Sequence, residues 1–270
     1  MRIARQRGFL ARGFALVLML CGGVAHAQIV QGNMELQWGD PRGGPGQPKR
    51  PAKFNATLVT DDGSRHVLDA AQARRAAGDL YALSSRRVAV QFSPAKRAGG
   101  LRSIEAIVPV EPLRTTASAR VMSMAKAVTG NTRWVTLACK FSDIATEQKP
   151  VTFFQDQYGI APGQLGHYWQ EVSYGKIDLT GSTAHGWFTL PQPRSYYIKT
   201  VDGEDDADLD LLFEDCAAAA DPTVNFAGVK GINMMFNGDL DGSAWGGSAC
   251  GPLEGVANAC IRNTWNPPWA

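Results

Sequence analysis

The residues able to do chemistry are few and far apart. Past residue 27 the chain has three histidines, His66, His167 and His185. Zinc-assisted peptide hydrolysis on a helix needs two histidines one turn apart with a glutamate between them as base, and no H-E-x-x-H string occurs. His167 falls on an expected helix, off its apolar face, and His185 in an expected strand, so both read as structural or surface residues. A serine nucleophile needs a G-x-S-x-G elbow or an equivalent. Gly246-Gly247-Ser248-Ala249-Cys250 lacks the last glycine, and Ser248 with His185 and Asp178 does not make a triad signature. The glycines include no G-x-x-x-x-G-K-[ST] loop for phosphate.

Two oxygen-rich strings invite calcium. Asn237, Asp239 and Asp241 place three oxygen-bearing side chains at alternate positions before Gly242, as the first half of a calcium loop does. No acid completes the loop at the right distance, since Glu254 is 13 residues past Asp241, and Asp/Gly turn chemistry accounts for the string equally well. Val201–Asp210 carries six acids (Asp202, Glu204, Asp205, Asp206, Asp208 and Asp210) and reads either as a cation site or as the acidic start of a helix over Asp206–Ala220. Leu209, Leu212, Phe213 and Cys216 would be that helix's buried face.

Cysteine usage points to an oxidising compartment. Four cysteines follow residue 27, and four allow three pairings. Cys250 and Cys260 flank a Gly/Pro-containing loop and form the natural local pair, and Cys139–Cys216 would then tie a strand to a helix. No C-x-x-C is present, which argues against a cysteine zinc site.

The elements that must position these residues centre on Pro162–Pro191. Leu165, Tyr168, Trp169 and Val172 fall at i, i+3, i+4 and i+7, a helix of 3.6 period expected to be buried on that face and stopped by Gly175. Ile177 and Leu179 then alternate with polar residues, Gly181-Ser182 breaks the run, and Thr183–Leu190 reads as a second strand. Thr132–Phe141 predicts a strand with Val135, Leu137, Cys139 and Phe141 on one face, and Val229–Phe236 a buried one.

The string YWQEVSYGKIDLTG followed by GWFTLP resembles the core of the immune inhibitor A-like secreted zinc metalloproteases. The likeness returns at Phe236–Gly247 (FNGDLDGSAWGG) and Thr264–Ala270 (TWNPPWA), so it covers roughly Trp134–Ala270. It implies a zincin-like fold, a zinc cofactor and a protein or peptide substrate. It also places Trp245, Gly246, Gly247 and Ser248 on an extended edge strand that pairs with substrate backbone. In that family the last string lies shortly before the zinc-binding helix. The expectation is therefore the N-terminal portion of a secreted zinc metalloendopeptidase, without proteolytic activity from these residues alone. The alternative is a non-catalytic exported protein or pseudoenzyme that recognises cell-wall or glycan ligands through exposed residues among Trp134, Trp169, Trp187, Trp245, Trp265 and Trp269.

The expected fold class is α+β, a small β-rich N-terminal domain followed by the incomplete N-terminal subdomain of a zincin-like metalloprotease. Residues 1–27 read as an export signal: Arg2, Arg5, Arg7 and Arg12, then the apolar run Phe14–Cys21, then Ala25-His26-Ala27 as a cleavage site. This predicts a secreted or periplasmic protein, with no later segment long enough to cross a bilayer. Residues 28–112 are expected as a β-rich, propeptide-like domain with strands at Met34–Trp38, Phe54–Thr60, Arg87–Phe92 and Ile104–Val110. A hairpin at Asp61-Asp62-Gly63-Ser64 and a helix over Asp69–Leu80 complete it. Residues 113–131 read as a linker open to processing at Arg114 and Arg120, and 132–270 as the partial catalytic domain. Charge divides the same way. Gln28–Arg120 has 14 basic residues against 8 acidic, and Val121–Ala270 has 9 against 17, so the halves carry +6 and −8 and should attract. No basic cluster interleaved with aromatics marks a nucleic-acid surface.

Overall fold

The computed structural model describes residues 27–44, 50–96, 102–110 and 128–270. Residues 1–26, which hold most of the expected signal, and most of the expected linker lie outside them.

The N-terminal strands are β1 (Gln28–Pro41), β2 (Lys53–Val59), β3 (Arg65–Val67), β4 (Arg87–Lys96) and β5 (Arg102–Pro109), with helix α1 (Ala70–Ala77) between β3 and β4. The expected hairpin joins β2 to β3 around Gly63 at φ 82°. Asp69 caps α1 by accepting from the Gln72 amide. β1 is long enough to serve three partners. Gln28–Asn33 pair with β4, Asn33–Gly39 with β2, and Gln37–Pro41 with a strand of the second half. Met34, Leu36, Leu58, Leu80, Val88 and Val90 form a core against Ala73 of α1.

The second half comprises β6 (Gly130–Asn131), β7 (Trp134–Lys140), α2 (Val151–Asp156), α3 (Leu165–Val172), β8 (Ile177–Asp178), β9 (Thr183–Thr189) and α4 (Arg194–Tyr197). It continues with β10 (Ile198–Val201), β11 (Glu204–Ala207), α5 (Leu209–Ala220), β12 (Gly231–Phe236), β13 (Ser243–Leu253) and β14 (Val256–Asn266). One sheet runs through both halves in the order β3-β2-β1-β13-β14-β12-β7-β9. β14, β12, β7 and β9 are parallel, and β13 is antiparallel to both β14 and β1. Val135, Leu137 and Cys139 of β7 and Ile232, Met234 and Phe236 of β12 face α5, where Leu209, Leu212, Phe213 and Cys216 meet them. An α+β protein with a large mixed sheet is what this chain forms. Its two cores meet along one ladder, β1 against β13.

Two helices depart from expectation. The helix expected from Asp206 begins at Leu209. Asp202 and Gly203, both left-handed at φ 52° and 83°, turn the chain into the β10–β11 hairpin, and Asp208 then caps α5 by accepting from the Leu211 amide. Helix α3 has the expected bounds, but its apolar stripe is not buried: Leu165, Tyr168, Trp169 and Val172 are 41%, 53%, 40% and 48% exposed. The buried residue is Gly166, where a Cβ would lie 2.4 Å from the Gly159 carbonyl oxygen. Through that glycine, whose missing side chain lets backbone meet backbone, the helix docks on the Tyr158–Gly159 segment that precedes it, and its apolar stripe is left half exposed.

Both expected disulfides form. Cys139–Cys216 ties β7 to α5, and Cys250–Cys260 joins directly opposed residues of β13 and β14. The first closes a sequence separation of 77 residues and the second one of 10. Loop-closure entropy then gives about 4.5 kcal/mol for the first and about 2.7 kcal/mol for the second. Chemical denaturation of Cys139→Ala/Cys216→Ala should therefore show a larger loss of stability than Cys250→Ala/Cys260→Ala. Equal losses, or the reverse order, would count against the entropic account.

Candidate functional site

The residues expected to bind substrate backbone are inside the sheet. Trp245, Gly246 and Gly247 pair with Gly39, Trp38 and Gln37 on one side and with Trp265, Thr264 and Asn263 on the other. Ser248 pairs with Arg262, and its hydroxyl accepts from the Leu36 amide at 3.1 Å. This corrects the edge-strand expectation, because β1 occupies the ladder that a bound peptide would need. Gly247 belongs to that arrangement: at φ +147°, a Cβ there would lie 2.0 Å from the Leu36 carbonyl oxygen. Ser248 is buried and His185 lies in β9, four strand steps or roughly 19 Å across the sheet. No triad forms among Ser248, His185 and Asp178.

The oxygen-rich loop is committed to protein partners. Asn237 accepts from the Phe141 amide and donates to the carbonyls of Ile144 and Thr146. Asp239 accepts from Trp269 Nε1. Asp241 is buried and accepts from Lys53 Nζ, the Ser243 amide and Trp245 Nε1. The calcium expectation thus meets three side chains that each fasten a different element. The zinc implied by the family resemblance finds no fitting donors among the described residues. His66, His167 and His185 sit on β3, α3 and β9, the four cysteines are disulfide-bonded, and no group of three His, Cys, Asp or Glu could hold a metal ion.

Opposite charges do meet between the halves. Lys53 pairs with Asp241 at 2.6 Å. Arg65 reaches across the seam to Asp210 of α5 at 2.7 Å and also pairs with Glu35 of β1. Glu35 accepts from the Cys250 amide at 2.7 Å and is almost fully enclosed. One guanidinium thus faces two carboxylates, so the pair titrates as a unit. Burial, reinforced by the Asp210 charge, pushes Glu35 up to about 8, and burial raises Asp210 too.

A second concentration of unusual groups lies on the sheet face opposite α5. Along strands β7, β12 and β14 this face presents Trp134 and Thr136, then Gly231 and Asn233, then Arg262 and Thr264. The register sets Trp134, Gly231 and Arg262 in one row across the sheet and Thr136, Asn233 and Thr264 in the next. The second row is wired together: Tyr158 OH and Thr136 Oγ1 are 2.6 Å apart, Asn233 Nδ2 donates to Tyr158 OH at 3.0 Å, and Thr264 Oγ1 donates to Asn233 Oδ1 at 3.0 Å. Burial raises the Tyr158 phenol, which stays neutral. Leu165 and Trp169 of α3, with Val128, Ile177 and Leu179, stand over these rows and enclose a cavity of about 330 Å³. Among the described residues Arg262 is the only charged one lining it; it is exposed and makes no ion pair.

This cavity was not foreseen. Its one visible signal was polar residues at alternate positions in runs that otherwise read as buried strand, Asn233 in VKGINMMF and Arg262 and Thr264 in CIRNTWN. Of the six tryptophans considered for ligand stacking, Trp245 and Trp265 are buried, whereas Trp134 and Trp169 meet at the cavity. No family model matches this chain, and no curated protein matches it.

The buried carboxylates give a pH prediction. Their folded-state pKa values lie above the unfolded ones, so between about pH 4.5 and about pH 8 the folded chain binds more protons than the unfolded chain. Their contribution is complete below the unfolded value and is lost as pH rises through the folded one. The melting temperature should fall between pH 5 and pH 8.5, and Glu35→Gln should flatten that fall by on the order of 1–3 kcal/mol. A wild-type profile that rises over this range would overturn the assignment.

Proposed function

We propose that this chain is an exported binding protein whose recognition site is the cavity between α3 and the parallel strands. The observation that carries the reading is the joining, in one cavity of about 330 Å³, of apolar walls, a hydrogen-bonded polar floor and an unpaired cation. Ligand sites have this composition: apolar lining supplies affinity, and a few fixed polar groups set orientation. A ligand burying ~200 Å² of apolar surface gains about 5 kcal/mol gross from desolvation. Association consumes much of that, so polar anchors decide which ligand stays. Among the described residues no helix is long and apolar enough to cross a membrane, and both disulfides form, as suits an exported protein.

A second reading has its own support. The three strings that resemble the immune inhibitor A-like metalloproteases are distant in sequence yet contribute to one folded unit. They supply α3 and β9, the start of β13, and the end of β14, and Trp269 of the last string donates to Asp239 of the second at 2.7 Å. In that reading the chain is scaffold and recognition surface of a zinc metallopeptidase, and the described residues hold no zinc.

The purified chain should bind the aromatic probe 1-anilinonaphthalene-8-sulfonate saturably and one to one. Trp169→Ala, on a half-exposed helix face that tolerates truncation, should weaken that binding about fivefold or more, in the range expected for losing an aromatic contact. Unchanged binding would remove the cavity from consideration. Incubation with casein and zinc should give no cleavage, and chelator-sensitive cleavage would favour the peptidase reading.

A further inference from the structure

We propose that the cavity recognises an apolar group ending in a carboxylate, with the carboxylate seated on Arg262 and the apolar body lying on the Trp134 indole beneath α3. This rests on the cavity being the binding site.

The sign of the ligand's charge follows from the lining. Among the described residues Arg262 is the one charged residue there, and no Asp or Glu of theirs lines the cavity to welcome a cation. An unpaired guanidinium presents a planar fork of donors that matches a carboxylate bidentately. The other polar groups are neutral and already partnered among themselves: Tyr158 with Thr136 and Asn233, and Asn233 with Thr264. Arg262, which is exposed and makes no ion pair among the described residues, is therefore the lining group whose donors are free to turn from water to a ligand.

The shape of the apolar body follows from the row Trp134–Gly231–Arg262. These residues are register partners on adjacent strands, so Arg262 and Trp134 start roughly 10 Å apart with Gly231 between them. Gly231 supplies no side chain to fill that gap. The six-membered ring of Trp134 lies across it instead: a Cβ at Gly231 would come within 2.4 Å of Trp134 Cζ3. The indole therefore extends from β7 toward Arg262. A flat or linear apolar group laid along it, under Leu165 and Trp169, ends at the guanidinium. Neither a polar sugar ring nor a polyphosphate matches a strip that is apolar along its length and carries one charge at its end.

Two sources share this chemistry, a free aliphatic acid and the carboxyl terminus of a chain with a hydrophobic last residue. The test titrates the full chain with decanoate, decanol, N-acetylphenylalanine and N-acetylphenylalaninamide, followed by calorimetry and tryptophan fluorescence. At least one acid should bind about tenfold tighter than its neutral partner, and the better acid identifies the source. Arg262→Gln should reduce that preference to about one without weakening the neutral compounds, and Arg262→Lys should keep part of it. If acids and neutral compounds bind equally in the wild type, or if Arg262→Gln keeps the preference, the ligand class is wrong and the cavity reading stands. If none of the four binds, both fall.

Discussion

A parallel sheet hides its backbone only when both faces are covered, and the parallel strands here are covered unequally. On one face α5 lies directly on β7 and β12, pinned by Cys139–Cys216 and by Trp265, whose Nε1 donates to the Leu209 carbonyl at 2.9 Å. That side is a dry core. On the other face the cover is α2, α3 and the short β6–β8 pair. α3 is anchored through Gly166 on the backbone of the preceding Tyr158–Gly159 segment and not on the strands, and a cavity lies between the helix and the sheet. The polar rows of β7, β12 and β14 fit this second face and would be costly on the first, where a buried unpaired polar group costs a few kcal/mol. The site is thus a consequence of asymmetric cover.

The seam between β1 and β13 obeys a different rule. Glycines at positions 39, 246 and 247 remove the side chains that would separate the two strands: Trp245 fills the space above Gly39, Trp38 that above Gly246, and Gly247 faces the Leu36 carbonyl. Such close pairing would place Glu35 and Asp210 near each other unneutralised, and Arg65 resolves that conflict for one charge. The second charge is suppressed by protonation, as buried like charges require. Among the described residues the charge division between the halves is therefore realised in two partly enclosed pairs, Lys53–Asp241 and Arg65–Asp210. Enclosed pairs matter more than the many exposed residues that set the net charge, because exposed pairs are screened.

Much of the fold was legible because local signals and burial agreed. Alternation in Thr132–Phe141 placed Val135, Leu137 and Cys139 on the face that α5 covers. Asp69 marked the start of α1, and the cysteine spacing gave both pairs. Legibility ended where a residue's role is set across the sheet. Periodicity found α3, but an apolar stripe says nothing about which side docks when a glycine makes the closer approach. Asp239 and Asp241 resemble half a calcium loop because turn chemistry and ion chemistry use the same residues, and only their partners, Trp269, Lys53 and Trp245, separate the two. Only the family resemblance put Gly246-Gly247 on an exposed edge strand, and nothing local indicates that β1 lies against it.

The cavity residues are scattered along the chain, from Val128 and β7 through the α2–α3 loop, α3 and the β8 region to β12 and β14, and no catalytic motif marks them. What most of them share is wrongness for their position. Asn233 in an apolar parallel strand, Thr264 beside the buried Trp265, and a half-exposed aromatic stripe on α3 each violate the pattern that packing alone would set, and the exposed Arg262 adds a charge at the rim. Separately, each has an ordinary explanation as a tolerated polar residue or a surface aromatic. Register removes that freedom, because it places Asn233 against Thr264 and Gly231 against both Arg262 and Trp134. Independent tolerances would scatter over the sheet. These residues fall in two adjacent rows under one helix, with the neutral polar members bonded to one another and Arg262 without an ion-pair partner among the described residues. Local violations that converge on one cavity and satisfy each other are what a recognition site requires.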